Sequence, residues 1–282
     1  MRNVLITGTS SGFGLVATVE LARRGWRVFA TMRDTSRSGP LAAAATAAGV
    51  SSMIDISPLD VTDASSVRSC AERVLAASDG RLDAVVHNAG VAVGAAFEDL
   101  PEAEARRVME TNFWGVLALT RETLPAMRAR RRGRIVVVSS NSAYAGEPAN
   151  SIYVASKWAV EGWAESLAYE VAPFHIDVVL VEPGPYRTEI WNSSPRVLPE
   201  NSAYTPYLRQ IEAMVDRHVA RDARDPQEVA LVIAKALETS RPRFRYPVSP
   251  QAHVGHFLRG KLPSRMQRYL ITRLLGLHRI QL

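Results

Sequence analysis

The chain has 282 residues, 47% of them apolar, and a formal net charge of +6. This length and composition predict one compact domain with a sizeable core. No stretch reaches about 18 uninterrupted apolar residues, which excludes a typical transmembrane helix, and no signal-peptide pattern precedes the first predicted strand. Cys70 is the single cysteine, so an intrachain disulfide is excluded and a cytoplasmic location is expected.

Strand and helix patterns alternate along the chain. The predicted strands are Val4–Thr7, Arg27–Thr31, Met53–Leu59, Leu82–His87, Ile135–Ser139, Ile176–Val181 and Phe244–Val248. The predicted helices are Gly14–Arg24, Pro40–Ala48, Ala64–Ala77, Glu102–Arg131, Ile152–Val171 and Pro226–Thr239. Several strands are continuous apolar runs, as expected when helices cover both faces of a sheet. The alternation predicts an α/β fold with a doubly wound, parallel, seven-stranded sheet and a ligand outside the carboxyl ends of its strands.

A glycine-rich turn follows the first predicted strand and reads Gly8-Thr-Ser-Ser-Gly12-Phe-Gly14. Strand, glycine turn and helix are the context that a nucleotide-phosphate site needs. Gly8 permits the tight turn, while Gly12 and Gly14 let the backbone approach a pyrophosphate at the helix N-terminus. The alternative is an ordinary turn between a strand and a helix.

Tyr153 and Lys157 lie four residues apart on a predicted helix and therefore on one face of it. An ammonium beside a phenol favours the phenolate, so we expect the pKa of Tyr153 to fall from about 10 toward neutrality. Such a phenol can donate or accept a proton. Ser140 follows an apolar strand thirteen residues before Tyr153, although Ser139 or Ser142 could take its place.

These motifs together resemble the short-chain dehydrogenases/reductases, in their compact single-domain branch. The resemblance covers about the first 190 residues and rests on Thr7-Gly8, Gly12-Phe-Gly14, Asn88-Ala-Gly90, Asn112, Ser140, Tyr153, Lys157, Pro183-Gly184 and Thr188. It implies a Rossmann-type three-layer sandwich, a nicotinamide coenzyme and hydride transfer between an alcohol and a carbonyl. It also implies catalytic roles for Asn112, Ser140, Tyr153 and Lys157, with Tyr153 as general acid/base, Ser140 on the substrate oxygen and Asn112 orienting a proton-relaying water. Asn112 could instead be a polar residue that bends its helix.

The resemblance implies a coenzyme site built from Gly8, Ser10, Ser11, Gly12, Phe13, Gly14, Arg33, Asp60, Val61, Asn88, Ala89, Gly90, Tyr153, Lys157, Pro183, Gly184 and Thr188. By the same resemblance, Asp60 would meet the adenine amino group, although it could equally be a solvated turn residue before the next helix. Arg33 follows the second strand, where its guanidinium would match a 2′-phosphate, and the segment is similar to those of NADP-preferring hydroxysteroid and retinol dehydrogenases. NADP(H) is therefore expected and NAD is less favoured. In the alternative, Arg33 is solvated and Asp34 binds the ribose of NAD.

The expected substrate side is apolar and aromatic, and includes Val93, Phe97, Tyr144, Ala145, Tyr186, Ile190 and Trp191. Ser140, Tyr144, Tyr186 and Trp191 are the predicted substrate contacts. This composition favours a bulky lipophilic alcohol or ketone. Glu147 could contact a substrate hydroxyl or simply face solvent. Residues 189–221 are expected to form a mobile lid, within a catalytic domain that spans residues 1–250.

Residues 251–282 are expected to extend this domain as a basic, amphipathic helix. Nine positive charges and no acidic residue follow Glu238, which leaves the rest of the chain near −3. Such a helix could contact an anionic membrane, but packing on the chain itself or on a partner subunit is the favoured alternative. No nucleic-acid motif accompanies the charge, and His253 and His256 lack the further ligands of a metal site.

Surplus aromatics at Trp114, Trp158 and Trp163, together with the family resemblance, predict a homodimer or homotetramer. The sequence analysis thus predicts an NADP(H)-dependent oxidoreductase for lipophilic alcohols and carbonyls. A non-catalytic NADP-binding regulator on the same fold is the alternative. An epimerase or dehydratase is disfavoured, because such relatives usually carry a larger C-terminal substrate domain.

Overall fold

The computed structural model describes residues 1–188, 194–222, 224–258 and 261–274. Seven parallel strands form one sheet in the order β3-β2-β1-β4-β5-β6-β7. The strands are β1 (Arg2–Thr7), β2 (Trp26–Met32), β3 (Ile54–Pro58), β4 (Ala84–His87), β5 (Gly133–Val138), β6 (Ile176–Glu182) and β7 (Arg245–Pro247). The predicted fold class is therefore confirmed.

The helices lie between these strands and after the last one. They are α1 (Gly12–Arg23), α2 (Gly39–Ala47), α3 (Ala64–Ala77), α4 (Glu102–Met109), α5 (Gly115–Ala129), α6 (Ser151–Val171), α7 (Thr205–Asp222), α8 (Gln227–Glu238), α9 (Pro250–Leu258) and α10 (Ser264–Leu274). A π-helical turn over Glu110–Trp114 joins α4 to α5, where the sequence predicted one uninterrupted helix. The sequence analysis did not resolve α7, which lies in the segment that it treated as a lid.

Two apolar cores fill the spaces on either side of the sheet. Neighbouring residues of β1 face opposite ways, so Val4 and Ile6 belong to one core and Leu5 belongs to the other. Helices α1 and α8 cover the first core, while α3, α5 and α6 cover the second. Alternate side chains of a strand point to opposite faces, which explains why a strand buried on both faces reads as a continuous apolar run.

The strand order reverses at β1, which pairs with β2 on one side and with β4 on the other. In an open α/β sheet this arrangement leaves a crevice at the carboxyl ends of the two central strands. Those ends are Thr7 of β1 and His87 of β4. Within the described residues, no helix is long and apolar enough to cross a membrane.

Candidate active site

The glycine-rich turn joins the end of β1 to the start of α1. Gly8 and Gly12 have φ angles of +70° and +54°, in the left-handed region that glycine adopts without strain. A Cβ atom on Gly14 would overlap the carbonyl oxygen of Gly8 and lie 2.5 Å from Nδ2 of Asn88. The helix can begin this close to the sheet because position 14 has no side chain.

Thr7 and Asn88 tie the carboxyl ends of β1 and β4 together. The Thr7 hydroxyl oxygen accepts hydrogen bonds from the backbone N–H groups of Asn88 (3.0 Å) and Ala89 (2.9 Å). In return, Nδ2 of Asn88 donates to the carbonyl oxygens of Thr7 and Gly8, both at 2.9 Å. These bonds fix the base of the crevice and the path of the glycine turn above it.

A cleft of about 420 Å³ opens over this base. It is lined by most of the predicted coenzyme residues, namely Gly8, Ser10, Ser11, Gly12, Phe13, Arg33, Asp60, Val61, Asn88, Ala89, Gly90 and Thr188. Met32, Arg37, Leu59, Thr62, Val91 and Thr111 also line it, although the sequence analysis did not assign them. The glycine cradle, the adjacent helix N-terminus and the size of the cleft fit a dinucleotide.

The remaining predicted coenzyme residues support the cleft or lie beside it. Gly14 lies beneath the turn, as described above. The carbonyl oxygen of Pro183 accepts a hydrogen bond from the Asn141 N–H at 2.8 Å. A Cβ on Gly184 would overlap the hydroxyl oxygen of Ser249. Pro183 and Gly184 therefore shape the backbone after β6.

Two arginines stand at the outer end of the cleft, after β2. Arg33 and Arg37 are both exposed and both line it. Between them, the Asp34 carboxylate accepts hydrogen bonds from the Ser36 N–H (3.0 Å) and hydroxyl (2.7 Å). These bonds, together with Arg37 and Arg33, lower the pKa of Asp34. The sequence predicted one cation here, Arg33. Arg37 was not predicted, and a short helical turn brings it back to the cleft.

Asp60 stands at the cleft wall after β3, next to Val61. Its Oδ1 atom accepts hydrogen bonds from the Thr62 N–H (2.9 Å) and hydroxyl (2.7 Å). This local turn fixes the carboxylate beside the cleft. The expected contact with an adenine amino group stays a prediction.

Tyr153 and Lys157 lie one turn apart on α6, as predicted. The Lys157 ammonium lies 5.6 Å from the centre of the Tyr153 ring and donates a 3.0 Å hydrogen bond to the Val138 carbonyl. Its Nζ is 4.0 Å from where a Cβ on Gly90 would lie, so Lys157 reaches the edge of the coenzyme cleft.

The pKa shifts of this pair differ from the sequence-based expectation. Burial raises the pKa of Tyr153 to about 12; a hydrogen bond with Ser140 lowers it and the charge of Glu147 raises it. Burial lowers the pKa of Lys157 to about 8, while Glu161 raises it. The expected fall in the tyrosine pKa is therefore wrong for this structure. Desolvation outweighs the ammonium, whose bond goes to a backbone carbonyl.

The structure distinguishes the three adjacent serines. The Ser139 hydroxyl donates to the buried carboxylate of Glu161 at 2.7 Å. The Ser140 hydroxyl, which lowers the pKa of Tyr153, donates to Ser142 Oγ at 3.0 Å and accepts from the Ser142 N–H. Ser140 is therefore the serine beside the phenol.

Asn112 is buried within the π-helical turn. Its Oδ1 accepts from the Val91 N–H and its Nδ2 donates to the Val91 carbonyl, both at 2.9 Å. The same Nδ2 lies 3.0 Å from the Ser156 hydroxyl oxygen. Asn112 thus ties the backbone of Val91, which lines the cleft, to α6, the helix that carries Tyr153. The expected water relay through Asn112 stays a prediction.

A second cavity, of about 520 Å³, is lined by Ala95, Ala96, Phe97, Glu98, Glu147, Pro148, Ala149, Ser151, Tyr204, Tyr207 and Leu208. Most of this lining is apolar or aromatic. Glu147 links this cavity to Tyr153, because the negative charge of Glu147 raises the pKa of the Tyr153 phenol. Burial raises the pKa of Glu147, while hydrogen bonds with Asn150 and Ser142 lower it. Glu147 is thus a wall residue of this cavity.

Two predicted substrate contacts lie elsewhere. Tyr144 is buried and its hydroxyl donates to Glu182 at 2.6 Å. Tyr186 is 1% exposed, packs edge-on against Phe13, and bonds Glu228 at 3.2 Å. Neither lines the two cavities described above, so both are corrected to interior residues, since each hydroxyl finds a carboxylate inside the fold. Trp191 and Ile190 lie outside the described residues.

The described residues contain no group of three or more His, Cys, Asp or Glu side chains that could hold a metal ion. Together, the doubly wound sheet and its glycine cradle define a dinucleotide-binding protein of the Rossmann type, with a tyrosine, a lysine and a serine beside the cleft.

A family model described as short chain dehydrogenase matches residues 2–197. The chain belongs to this family, as its motifs predicted. It is accordingly a dehydrogenase/reductase that acts on CH–OH groups.

Relatives of similar length support this assignment. The chain is 35% identical over 273 residues to a 3-ketodihydrosphingosine reductase of Bacteroides thetaiotaomicron, an alignment that covers 95% of this chain and 96% of the relative. It is 39% identical over 254 residues to retinol dehydrogenase 8 of Bos taurus, covering 86% of this chain and 80% of the relative.

Solved structures show the same fold. A short-chain dehydrogenase from Streptomyces avermitilis superposes with a TM-score of 0.79 at 33% identity, over 99% of this chain and 97% of that one. A metagenomic short-chain oxidoreductase in complex with NADP superposes with a TM-score of 0.69 at 26% identity, over 87% of this chain and 95% of that one.

Proposed function

We propose that this chain is an NADP(H)-dependent oxidoreductase that interconverts a lipophilic secondary alcohol and ketone, or a primary alcohol and aldehyde. One observation carries the proposal. Tyr153, whose pKa is lowered by Ser140, shares a helix face with Lys157, whose ammonium reaches Gly90 at the edge of the dinucleotide-sized cleft.

The bound coenzyme supplies or accepts the hydride, and the side chains manage the proton and the charge on oxygen. In reduction, the Tyr153 hydroxyl gives its proton to the carbonyl oxygen as that oxygen gains negative charge; in oxidation, the phenolate takes the proton from the alcohol. Ser140 donates a hydrogen bond to the same oxygen, and such a donor is worth about 2.7–4 kcal/mol. Lys157 opposes the charge left on the phenolate. A tyrosine pKa of about 12 keeps the phenol protonated at neutral pH.

The preference for NADP(H) over NAD is supported by the two guanidinium groups of Arg33 and Arg37 at the outer end of the cleft. A 2′-phosphate there would meet two positive charges. Asp34 also lines this cleft, and its Oδ1 atom accepts two hydrogen bonds from Ser36. In the alternative, its other oxygen would bind a ribose hydroxyl of NAD.

The lipophilic substrate class is supported by the apolar wall of the second cavity. Glu147 belongs to that wall, and its charge raises the pKa of Tyr153. Relatives named as a retinol dehydrogenase and a 3-ketodihydrosphingosine reductase fit the same class.

The proposal includes assembly as a homodimer or homotetramer through the α5–α6 side of the sheet. Large aromatic side chains are exposed on this side: Trp114 (48%), Trp158 (48%) and Tyr169 (75%). Solvent exposure of such large aromatic side chains is typical of an interface between subunits. Sedimentation velocity measures the assembly.

A peripheral contact with anionic lipid through α10 also belongs to the proposal. Exposed Met266, Tyr269 and Leu270 lie on one side of this helix, next to exposed Arg265 and Arg268. The preceding α9 instead packs on the body of the protein, since Ala252 is fully buried and Gly255 lies against Tyr144. Arg259 and Arg279 of the basic tail lie outside the described residues. Flotation with anionic and neutral vesicles distinguishes lipid binding from packing.

Tyr153→Phe tests the catalytic proposal. It removes the proton donor and keeps the ring, so we expect turnover of a lipophilic ketone with NADPH to fall by about 10²–10⁴-fold. The dissociation constant of NADPH should stay unchanged. Tyr269→Phe is the matched control, because that ring is 58% exposed on α10 and lines neither cavity, and it should leave turnover intact.

Undiminished turnover in Tyr153→Phe would refute the assigned role. The alternative, a non-catalytic NADP-binding regulator, predicts a different pattern: the wild-type chain binds NADPH but oxidises it with no member of a panel of lipophilic ketones and aldehydes.

A further inference from the structure

We infer that Arg245 is a positioning residue for the candidate active site, holding the loop Ser139–Tyr144 at both of its ends. The inference deepens the proposed function and rests on it for its effect on turnover. Arg245 lies on the edge strand β7, about a hundred residues after the loop and beyond the 2–197 segment that the family model matches.

Arg245 is the shared counter-ion of two buried carboxylates. Its Nη1 lies 2.5 Å from Oε2 of Glu161 and 2.7 Å from Oε1 of Glu182. Glu161 is 1% exposed and Glu182 is 0% exposed, whereas Glu165, the third acidic partner of the guanidinium, reaches solvent. A carboxylate is very unfavourable in the interior without a positive partner, so the guanidinium of Arg245 stabilises both buried groups.

The other oxygen of each carboxylate holds one end of the loop. Oε1 of Glu161 accepts from the Ser139 hydroxyl at 2.7 Å, and Oε2 of Glu182 accepts from the Tyr144 hydroxyl at 2.6 Å. The two carboxylates come from different elements, α6 and β6. Arg245 therefore joins the two anchors.

Ser140 lies between the two anchored residues. Its hydroxyl must lie within hydrogen-bonding distance of Tyr153 to act on a substrate oxygen, and a small displacement of such a group is costly for turnover. The backbone N–H groups of Ser139 and Asn141 donate to the carbonyl oxygens of Val181 and Pro183, both at 2.8 Å. Apart from hydrogen bonds within the loop itself, these side-chain anchors and backbone bonds end on the β6 side of the sheet or on α6.

The network also reaches Lys157, one helical turn before Glu161. The charge of Glu161 raises the pKa of Lys157, against the burial that lowers it to about 8. Burial raises the pKa of Glu182 to about 7, and its hydrogen bonds with Tyr144 and Arg245 lower it. Removing Arg245 therefore weakens the ionised state of both carboxylates and with it both loop anchors.

The experiment compares Arg245→Met with Arg134→Met. Arg134 is a matched control, because its side chain is 14% exposed against 15% for Arg245, and it also forms an ion pair, with Asp177 at 2.6 Å. Arg134 lies near the amino end of β5, so its loss should lower stability without reaching the loop. The readouts are kcat, the dissociation constant of NADPH, and hydrogen exchange of the amides in residues 139–144.

We expect Arg245→Met to lower kcat by about 10- to 100-fold and to leave NADPH binding unchanged, as for a misplaced catalytic group. Exchange of the loop amides should accelerate in this variant and stay slow in Arg134→Met. Arg245→Lys should recover part of kcat, since it restores one positive charge.

Tyr144→Phe gives a second test that does not endanger the fold, because it keeps the ring against Gly255 and removes one anchor. Its control is Tyr186→Phe, which also loses a hydrogen bond to a glutamate but lies outside the network. Only Tyr144→Phe should lower kcat and speed loop exchange.

Loop exchange that stays at the wild-type rate in both Arg245→Met and Tyr144→Phe would overturn the inference, whatever the activity. Equal losses of kcat in Arg245→Met and Arg134→Met would overturn it as well, because they would show a general loss of stability. A wild-type chain without carbonyl turnover would instead contradict the proposed function, and the exchange rates would still decide the role of Arg245.

Discussion

The coenzyme half and the substrate half of the candidate site are held together in different ways. Around the cleft, the positions of Gly8, Gly14 and Asn88 are set by close backbone approach and neutral hydrogen bonds between adjacent strand ends. Around Ser140, position depends on buried charges contributed by α6, β6 and β7. The first half tolerates little added volume, and the second tolerates little change in charge. Each half therefore has its own kind of damaging substitution.

Added volume should have its largest effect at Gly14. A methyl group in Gly14→Ala would overlap the Gly8 carbonyl, so we expect unfolding to become easier by about 1–3 kcal/mol and NADPH affinity to fall at least about tenfold. Urea unfolding and coenzyme titration measure the two effects.

Gly162→Ala on α6 is the control for that substitution. No atom lies within 4 Å of the added methyl group and the glycine is helical, so it should stabilise the protein by about 0.5–1 kcal/mol. Unchanged coenzyme affinity in Gly14→Ala would show that the close approach is not needed for binding.

Removing charge from the coenzyme half should change its selectivity and leave its shape intact. We expect Arg33→Ala combined with Arg37→Ala to weaken NADPH binding by about 10- to 100-fold, since hydrogen bonds to charged groups contribute about 1.5–3 kcal/mol. NADH affinity should not fall. Titration with both coenzymes measures the change, and Arg68→Ala at an exposed site on α3 serves as control. Equal losses for NADPH and NADH would contradict a 2′-phosphate contact at these arginines.

The smallest expected effect concerns a buried neutral group at the end of β4. His87 is 3% exposed and its Nε2 lies 2.9 Å from the Thr120 hydroxyl oxygen; burial lowers its pKa to about 3. The unfolded chain takes up this proton near pH 6.5, so the stabilisation is present above pH 6.5 and is lost as the pH falls toward 3. The loss approaches about 1.4 kcal/mol per pH unit.

Thermal unfolding of wild type and His87→Gln between pH 7 and pH 5.5 measures this effect, in a range where most carboxylates keep their charge. The variant should show the flatter dependence. Parallel curves would mean that His87 does not bind protons differently in the two states.

The two halves also differ in how far the sequence predicted them. The glycine spacing, Asn88 and the Tyr153–Lys157 pair are local patterns, and the structure brings them together as expected. Tyr144 and Tyr186 were misassigned, because an aromatic residue near a motif shows nothing about which carboxylate its hydroxyl will meet inside the fold. Arg245 was counted with the basic tail, since its partners Glu161 and Glu182 lie more than sixty residues away in sequence. Arg37 was missed because a short helical turn had to return it to the cleft.

The order in which the ribosome makes these parts adds a consequence. Glu161 and Glu182 emerge before Arg245, so during synthesis two carboxylates destined for the interior exist for a time without their guanidinium. The residues of the glycine cradle, from β1 and β4, emerge much earlier. We expect the serine loop to reach its final position only after the last strand has joined the edge of the sheet.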